Sequence, residues 1–258
     1  MREAFHAEWT KLRTLASTGW LLAGVVILTV GTSAAVIAAS SYQPFGAYQD
    51  TTKISLTGID LGQAVVAVLA VLTISNEYST GMMAVTLTAM PRRISGLAAK
   101  AVCLIVLVLG GSVIAVGGSL LIGRTVLPSN GFTANHGYPL LSLAHGATLR
   151  AAVGSVLYLT LIALLSLGIA TSVRGTAAAI GTVLSLLYLF PLLAHAVTNT
   201  IWQRHLEQIG PMTAGVSIQT TVNLGSLPIS AWIGRGVVAA WSAAAILGGG
   251  LFLRLRDA

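Results

Sequence analysis

Three lysines are the first residues to test for chemistry, because the sequence holds only Lys11, Lys53 and Lys100. A phosphate-binding P-loop requires Gly-x-x-x-x-Gly-Lys-Ser/Thr, in which backbone amides and the lysine hold the phosphates of a nucleotide. The three lysines instead precede Leu, Ile and Ala. We therefore expect a chain that is not an enzyme and that binds no ATP, magnesium or other cofactor of its own.

Metal and nucleophile patterns are also missing from the sequence. The histidines form no HExxH pair, and they stand alone at His6, His136, His145, His195 and His205. The single cysteine, Cys103, lies in an apolar run, where a thiol is usually inert packing. Ser112 and Ser155 follow glycines inside apolar runs without the flanking pattern of a nucleophile elbow. We expect no metal site and interpret both serines as packing residues.

An acidic side chain near the centre of an apolar span would indicate a proton- or ion-driven carrier. Asp60 instead lies near the outer end of the second candidate span, and Arg235 lies near the outer end of the sixth. Because they are opposite charges at similar depth, they predict an outer ion pair. Separate extension of each side chain to the interface is the alternative. Any transport must therefore draw energy from elsewhere, or the protein is a passive channel.

The helices that position these residues can be predicted from the composition and from the apolar runs of the sequence. The chain has 258 residues, of which 55% are hydrophobic and 8% charged, whereas soluble domains carry about 25% charged residues. A crossing helix needs about 20 apolar residues. The sequence contains six such runs, at 20–40, 57–75, 99–123, 151–172, 176–197 and 233–253. It therefore predicts an all-α, polytopic membrane protein with one transmembrane domain, residues 1–258.

The distribution of basic residues predicts the orientation. The net charge is +7, but no basic run or basic patch with interleaved aromatics indicates nucleic-acid binding. If both termini are cytoplasmic, nine basic residues lie inside and five outside, which agrees with the positive-inside rule. The outer loops are then 41–56, 124–150 and 198–232, and the mixed composition of the last predicts short interfacial or re-entrant pieces. The scarcity of Lys beside abundant Ala, Gly and Arg is typical of a high-GC bacterium, so we expect the bacterial plasma membrane.

The first 19 residues predict an amphipathic helix in the inner membrane interface. Phe5 and Trp9 share its apolar side, whereas Lys11 and Arg13 belong to its polar side. The alternative is a frayed polar lead that carries ordinary basic anchors.

Residues 76–93, NEYSTGMMAVTLTAMPRR, are too polar to span and too apolar for a solvated linker. Asn76 can cap a new helix, Glu77 suits its first turn, and Pro91 stops it. The segment predicts a short cytoplasmic helix that docks a partner; a loop helix without a partner is the alternative. The candidate contact residues are Glu77, Tyr78, Ser79, Thr80, Gly81, Arg92 and Arg93.

The ordered pattern Glu77-x-x-Thr80-Gly81, then LTAMPRR, then Lys100 resembles the first cytoplasmic loop of ABC-type exporter permeases of the type 2 class. The stretch AEWTKLRT from Ala7 to Thr14 looks like the start of actinobacterial members. Pro211 to Gly215, PMTAG, is similar to the Pro-x-x-Ala-Gly that precedes their last span.

The resemblance implies a pump divided between chains. Two permease subunits form a dimer, and two copies of a separate ABC ATPase, which use ATP and magnesium, dock a coupling helix at 77–90. The substrate path implied between the permeases follows spans one, two and five, with candidate lining residues Thr29, Thr32, Ser33, Thr182 and Ser185. Residues 198–230 would form the outer gate.

Apolar spans that contain scattered Ser and Thr suit an amphiphilic drug or antibiotic, a hydrophobic peptide or a lipid equally well as cargo. A drug or antibiotic would make the chain part of an efflux and antibiotic-resistance system. A homodimer and a heterodimer both remain open. The alternatives to a permease are a passive channel, and an intramembrane enzyme or assembly scaffold.

Overall fold

A computed structural model of the chain describes residues 10, 16–44, 48–79, 93–173 and 175–255, with side chains omitted at 76–79, 93–95, 226 and 253–255. These residues are all-helical. The helices are α1 Ala16–Ala39, α2 Thr51–Leu56, α3 Ile59–Ser79, α4 Arg93–Val126, α5 Gly146–Ser172, α6 Thr176–Ala196, α7 Thr200–Ile209, α8 Pro211–Val216 and α9 Ala231–Leu255. Four short 3-10 turns lie at Leu127–Asn130, Ala134–His136, Ser217–Gln219 and Leu224–Ser226.

Within the described residues, six stretches are helical, long and apolar enough to cross a membrane, and each overlaps one of the predicted spans. They are Ala16–Ala39, Thr51–Ser75, Gly96–Asn130, Gly146–Ser172, Thr176–Ala196 and Ala231–Phe252. The prediction of six apolar helices is confirmed.

α3 and α4 are among the helices that extend beyond their predicted bounds. α3 continues without a break to Ser79, so Asn76 lies inside a helix and does not cap a new one, since a capping residue must leave helical geometry. α4 has 34 residues. At 1.5 Å per residue it is about 50 Å long, which exceeds the ~30 Å hydrocarbon core. It must therefore extend well beyond the apolar layer.

The fourth span, α5, is the central helix of the bundle. It packs against α3, α4, α6 and α9, and most of its residues are buried. Gly168 allows its closest crossing, because a Cβ at this position would overlap the backbone of Ala245 in α9. Since lipid tails are as apolar as leucine, such close packing, rather than the hydrophobic effect, holds helices together in a membrane.

The three predicted outer loops meet at one end of the bundle, which we call the loop face. The backbone amide of Tyr42 donates to the carbonyl of Asn130 at 3.0 Å, and Nδ2 of Asn130 donates to the carbonyl of Ile37 at 2.8 Å. Tyr42 also stacks on His136, with ring centroids 4.2 Å apart. The structure therefore groups these loops as predicted, whereas the side of the membrane on which they lie stays a prediction.

Candidate functional site

A short helix lies within the bundle between the last two spans. Pro211, Ala214 and Gly215 of α8 are buried, as is every residue of the 3-10 turn Ser217–Gln219. The helix and the turn pack against α5 and α9, and α8 also contacts α6. Residues 211–219, which we call the inserted segment, are therefore part of the bundle. The loop 198–232 thus contains short helical pieces, whereas their interfacial or re-entrant placement in the membrane stays a prediction.

Two glycines make this close packing possible. Gly215 in the inserted segment lies against the ring of Tyr158 from α5, and Gly234 in α9 lies against the carbonyl oxygen of Ala214. A Cβ at either glycine would overlap its neighbour. The contact at Gly234 is the less forgiving of the two, because a backbone carbonyl cannot rotate away as a side chain can.

A buried hydrogen-bond network lies beside the inserted segment. The hydroxyl of Tyr158 donates to Oε1 of Gln63, and both side chains are fully buried. Nε2 of Gln63 donates to the carbonyl of Asp60 at 3.1 Å, and the hydroxyl of Tyr188 donates to the same oxygen. The network joins α3, α5 and α6 at one level. Because Gly215 packs on Tyr158, these contacts connect α3 to the inserted segment.

Asp50 ties the chain that leaves the inserted segment to the start of the second span. Its carboxylate accepts five hydrogen bonds within the described residues. Two come from the amides of Thr52 and Lys53, so Asp50 is the N-cap of α2. Three come from the amide and hydroxyl of Thr221 and the amide of Val222. Since charge-assisted bonds are the strong ones, this contact fixes the position of the chain that leaves the inserted segment.

An aromatic group continues the loop face beside Asp50. Tyr48 stacks on Tyr138 with ring centroids 4.5 Å apart, and its hydroxyl donates to the carbonyl of Gly137 at 3.1 Å. Partial burial raises the pKa of Tyr48, and the nearby Tyr138 and Asp50 raise it further. The phenol is therefore a neutral hydrogen-bond donor that holds the first and second loops together.

Two arginines lie near the same end of the bundle, and the predicted outer ion pair is not formed there. Arg150, near the start of α5, donates from Nη2 to the carbonyl of Thr220 at 2.8 Å. Arg235 stacks on Trp232, with Cζ 3.8 Å from the ring centroid, which is an i, i+3 contact on one helix. No hydrogen bond or ion pair joins Arg235 to Asp60 within the described residues, and Oδ1 of Asp60 is buried without a partner.

The predicted path residues on α1 are packing residues in the single chain. Thr29 and Ser33 are fully buried, and Thr32 is half-buried. Ser33 accepts a hydrogen bond from the amide of Gly58 at 3.1 Å, and Thr29 lies against Gly62. These side chains therefore hold α1 to the beginning of the second span.

The predicted path residues on α6 have a different setting. Thr182 and Ser185 are exposed, together with Ala178 and Gly181. Thr182 returns its hydroxyl to the carbonyl of Ala178 at 2.8 Å, which satisfies the donor inside its own helix. The structure thus leaves one face of α6 small, partly polar and uncovered, and does not bring Thr182 or Ser185 to Thr29 or Ser33.

Two predicted sets of residues have no described side chains, so both sets stay predictions: the ATPase contacts and the residues of the interfacial helix. They are Glu77, Tyr78, Ser79, Thr80, Gly81, Arg92 and Arg93 in the first set, and Phe5, Trp9, Lys11 and Arg13 in the second.

Sequence reasoning missed the residues that organise the loop face. Gln63 and Tyr158 are 95 positions apart, and Asp50 and Thr221 are 171 apart, so no local pattern connects them. Two weak features of the sequence point to these residues. Gln63 is a lone amide in an apolar run, and Asp50 precedes Thr-Thr as a helix N-cap residue does.

No protein-family model matches the sequence, and no curated protein matches it. The case for a function rests on the residues of this chain and their arrangement.

Proposed function

We propose that the chain is the membrane-spanning permease subunit of an ATP-driven ABC exporter, which forms the substrate path as a dimer and is coupled to a separate ATPase. The observation that carries the proposal is the inserted segment 211–219. It contains the PMTAG motif for which the sequence resembles these permeases, and it lies between the fifth and sixth spans on the loop face. A short helix in this position suits an outer gate, because it can move without breaking a span.

The uncovered face of α6 supports a dimer. Ala178, Gly181, Thr182 and Ser185 are exposed in the single chain, and no atom lies within 4 Å of a Cβ placed on Gly181. Small residues on lipid-facing helices allow close helix association. A second copy of the chain, facing this surface, would cover it and place the hydroxyls of Thr182 and Ser185 along the path between the two subunits.

The second span supports a route for mechanical coupling. α3 is continuous over 21 residues, a length of about 30 Å, and its end leads directly into the proposed coupling segment 77–90. Two ATPase copies that close on ATP and magnesium would push this end of α3. Near its other end α3 carries Gln63, which contacts Tyr158, and Tyr158 contacts Gly215 in the inserted segment. Force on the cytoplasmic side would thereby reach the outer gate.

The surroundings of this path fit an amphiphilic cargo in a bacterial plasma membrane, such as a drug, an antibiotic or a hydrophobic peptide. The α6 face offers hydroxyls on an otherwise apolar surface. On the loop face, α7 exposes Ile201, Trp202 and Ile209, side chains that suit the boundary between headgroups and acyl chains. The amino-terminal residues 1–19 are proposed to lie in the opposite interface, beside the ATPase.

The proposal is tested by purifying the chain and asking whether an ATPase co-purifies with it and hydrolyses ATP. The tagged full-length chain, solubilised from its native membrane, should retain a P-loop ATPase and show ATP hydrolysis that the purified chain alone lacks. Glu77→Gln should reduce ATPase retention by about tenfold, since it removes a charged contact. Glu207→Gln is the matched control, because Glu207 lies on the loop face and its carboxylate accepts a hydrogen bond from Nε2 of Gln203 at 3.2 Å. Equal retention by both variants would reject docking through Glu77, and ion flux through the chain alone would indicate a channel.

A further inference from the structure

Several hydrogen-bond donors on the loop face have no partner in the protein. Among the described residues, Nε of Arg150, Nε and Nη2 of Arg235, and Nε2 of Gln219 are all buried and unpaired. Gln219 is 1% exposed. Buried polar groups are nearly always hydrogen-bonded, so an unpaired group needs an explanation. These four atoms are all donors, whereas Oδ1 of Asp60 on α3, which is also buried and unpaired, is an acceptor.

The three side chains belong to one junction of the fold. Arg150 donates to the carbonyl of Thr220, which directly follows Gln219 in the chain. Arg235 directly follows Gly234, and Gly234 is in contact with the inserted segment at Ala214. Both α5 and α9 pack against the 3-10 turn that ends at Gln219. The donors are therefore supplied by α5, α9 and the turn between them.

The charge at this junction is positive and unbalanced. No acidic side chain of the described residues forms an ion pair with Arg150 or Arg235, and Nε of each is buried without a partner. Asp50, which holds the neighbouring Thr221, has both carboxylate oxygens occupied by other donors. The amino-terminal ends of α5 and α9 lie here as well and add partial positive charge. Two partly buried guanidinium groups on helices that pack against the same 3-10 turn favour an anion at this junction.

We propose that Arg150, Gln219 and Arg235 form a binding site for a phosphate-type oxyanion on the loop face. A guanidinium group presents paired N–H donors that match the oxygens of a phosphate, and several donors from different elements suit a group with several oxygens. The phosphate can be free, or it can belong to an anionic phospholipid. Trp232, which stacks on Arg235 and is 67% exposed, is the kind of residue found at headgroup depth.

Thermal unfolding of the full-length chain in a zwitterionic detergent tests the site with two probes at constant ionic strength. One is inorganic phosphate, and the other is phosphatidylglycerol compared with phosphatidylcholine. At least one probe should raise the Tm of the wild-type chain in a saturable manner. Arg235→Gln should weaken the apparent affinity by about tenfold or more, because it removes a charged donor group. Arg124→Gln, which changes an exposed arginine of the same face, should leave the response unchanged.

The outcomes separate the sources and can reject the site. A response to inorganic phosphate identifies a free oxyanion site, and a response to phosphatidylglycerol alone identifies a lipid headgroup site. If Arg235→Gln yields no folded protein, Arg235→Lys replaces it with the same expectation, because it keeps the charge but lacks the Nε and Nη2 donors. The site does not exist if neither probe raises the wild-type Tm, or if the Arg235 variant responds as the wild type does. None of these measurements depends on an ATPase.

Discussion

The hydroxyl of Tyr158 donates a hydrogen bond to Oε1 of Gln63, although 95 positions separate the two residues. Both side chains are fully buried in a mainly apolar bundle. Because no water competes there, the bond joins the second span to the fourth at a defined register. The ring of Tyr158 also packs against Gly215 of the inserted segment. The pair is thus the point at which α3, α5 and the proposed outer gate meet.

Tyr158→Phe should lower the free energy of unfolding by about 1–3 kcal/mol, because it leaves Oε1 of Gln63 buried without a donor. Thermal unfolding in detergent measures the loss. Tyr48→Phe is the matched control, since the hydrogen bond from its hydroxyl to the carbonyl of Gly137 is exposed, where water can replace it, and it should change stability by less than about 0.5 kcal/mol. The double variant Tyr158→Phe, Gln63→Leu should lose less stability than the sum of the two single variants, because both partners of the hydrogen bond are then removed. Additive effects in this double-mutant cycle would show that the two side chains are not coupled.

Gly234→Ala should destabilise the protein by about 1–3 kcal/mol, because the new methyl group overlaps the carbonyl oxygen of Ala214. Gly236→Ala in the same helix is the control, since a Cβ there meets no atom within 4 Å. Alanine favours a helix over glycine by about 0.5–1 kcal/mol, so this control should be neutral or slightly stabilising. Comparison of the two melting temperatures checks the prediction. Equal values would mean that α8 does not pack on α9 at this position.

Ser185→Cys should form an intermolecular disulfide when membranes are treated with an oxidant, because the proposed dimer places this exposed face of α6 against a second copy. The test uses a Cys103→Ala background, which removes the buried native thiol. Val113→Cys is the control, since Val113 is exposed on α4, outside the proposed contact. A dimer band is expected on a non-reducing gel for Ser185→Cys alone. Comparable bands for both variants, or a band for neither, would argue against this dimer.

The spans could be predicted from sequence because their signal is local. A run of about 20 apolar residues, such as WLLAGVVILTVGTSAAVIAA from Trp20, has one stable form in lipid, where the helix satisfies every backbone group. Helix ends were less certain. Asn76 is a good capping residue, yet α3 continues through it to Ser79. Capping preference is worth only about 1 kcal/mol, which continuity of a long helix can outweigh.

The arrangement of the loop face could not be read from the sequence. PMTAG is short and mixed in composition, so it predicts a structured piece but not that Gly215 rests on Tyr158. In the sequence, Thr29 and Ser33 cannot be distinguished from Thr182 and Ser185, because both pairs are hydroxyl residues in apolar runs. In the structure, the first pair packs against the second span and the second pair is exposed. Asp60 and Arg235 have matching predicted depth, and Arg235 stacks on Trp232 instead. Such choices depend on contacts between distant parts of the chain.

The central claim is that residues 77–90 form a cytoplasmic docking site for an ATPase. Chemical labelling of a cysteine introduced in this segment tests that claim most directly. The experiment places Thr80→Cys and, as the control from the loop face, Ser129→Cys in the Cys103→Ala background. A membrane-impermeant maleimide is applied to intact cells and to inverted vesicles. We predict that position 80 reacts only in inverted vesicles, that position 129 reacts only in intact cells, and that the bound ATPase protects position 80. Labelling of position 80 from outside the cell would contradict the account.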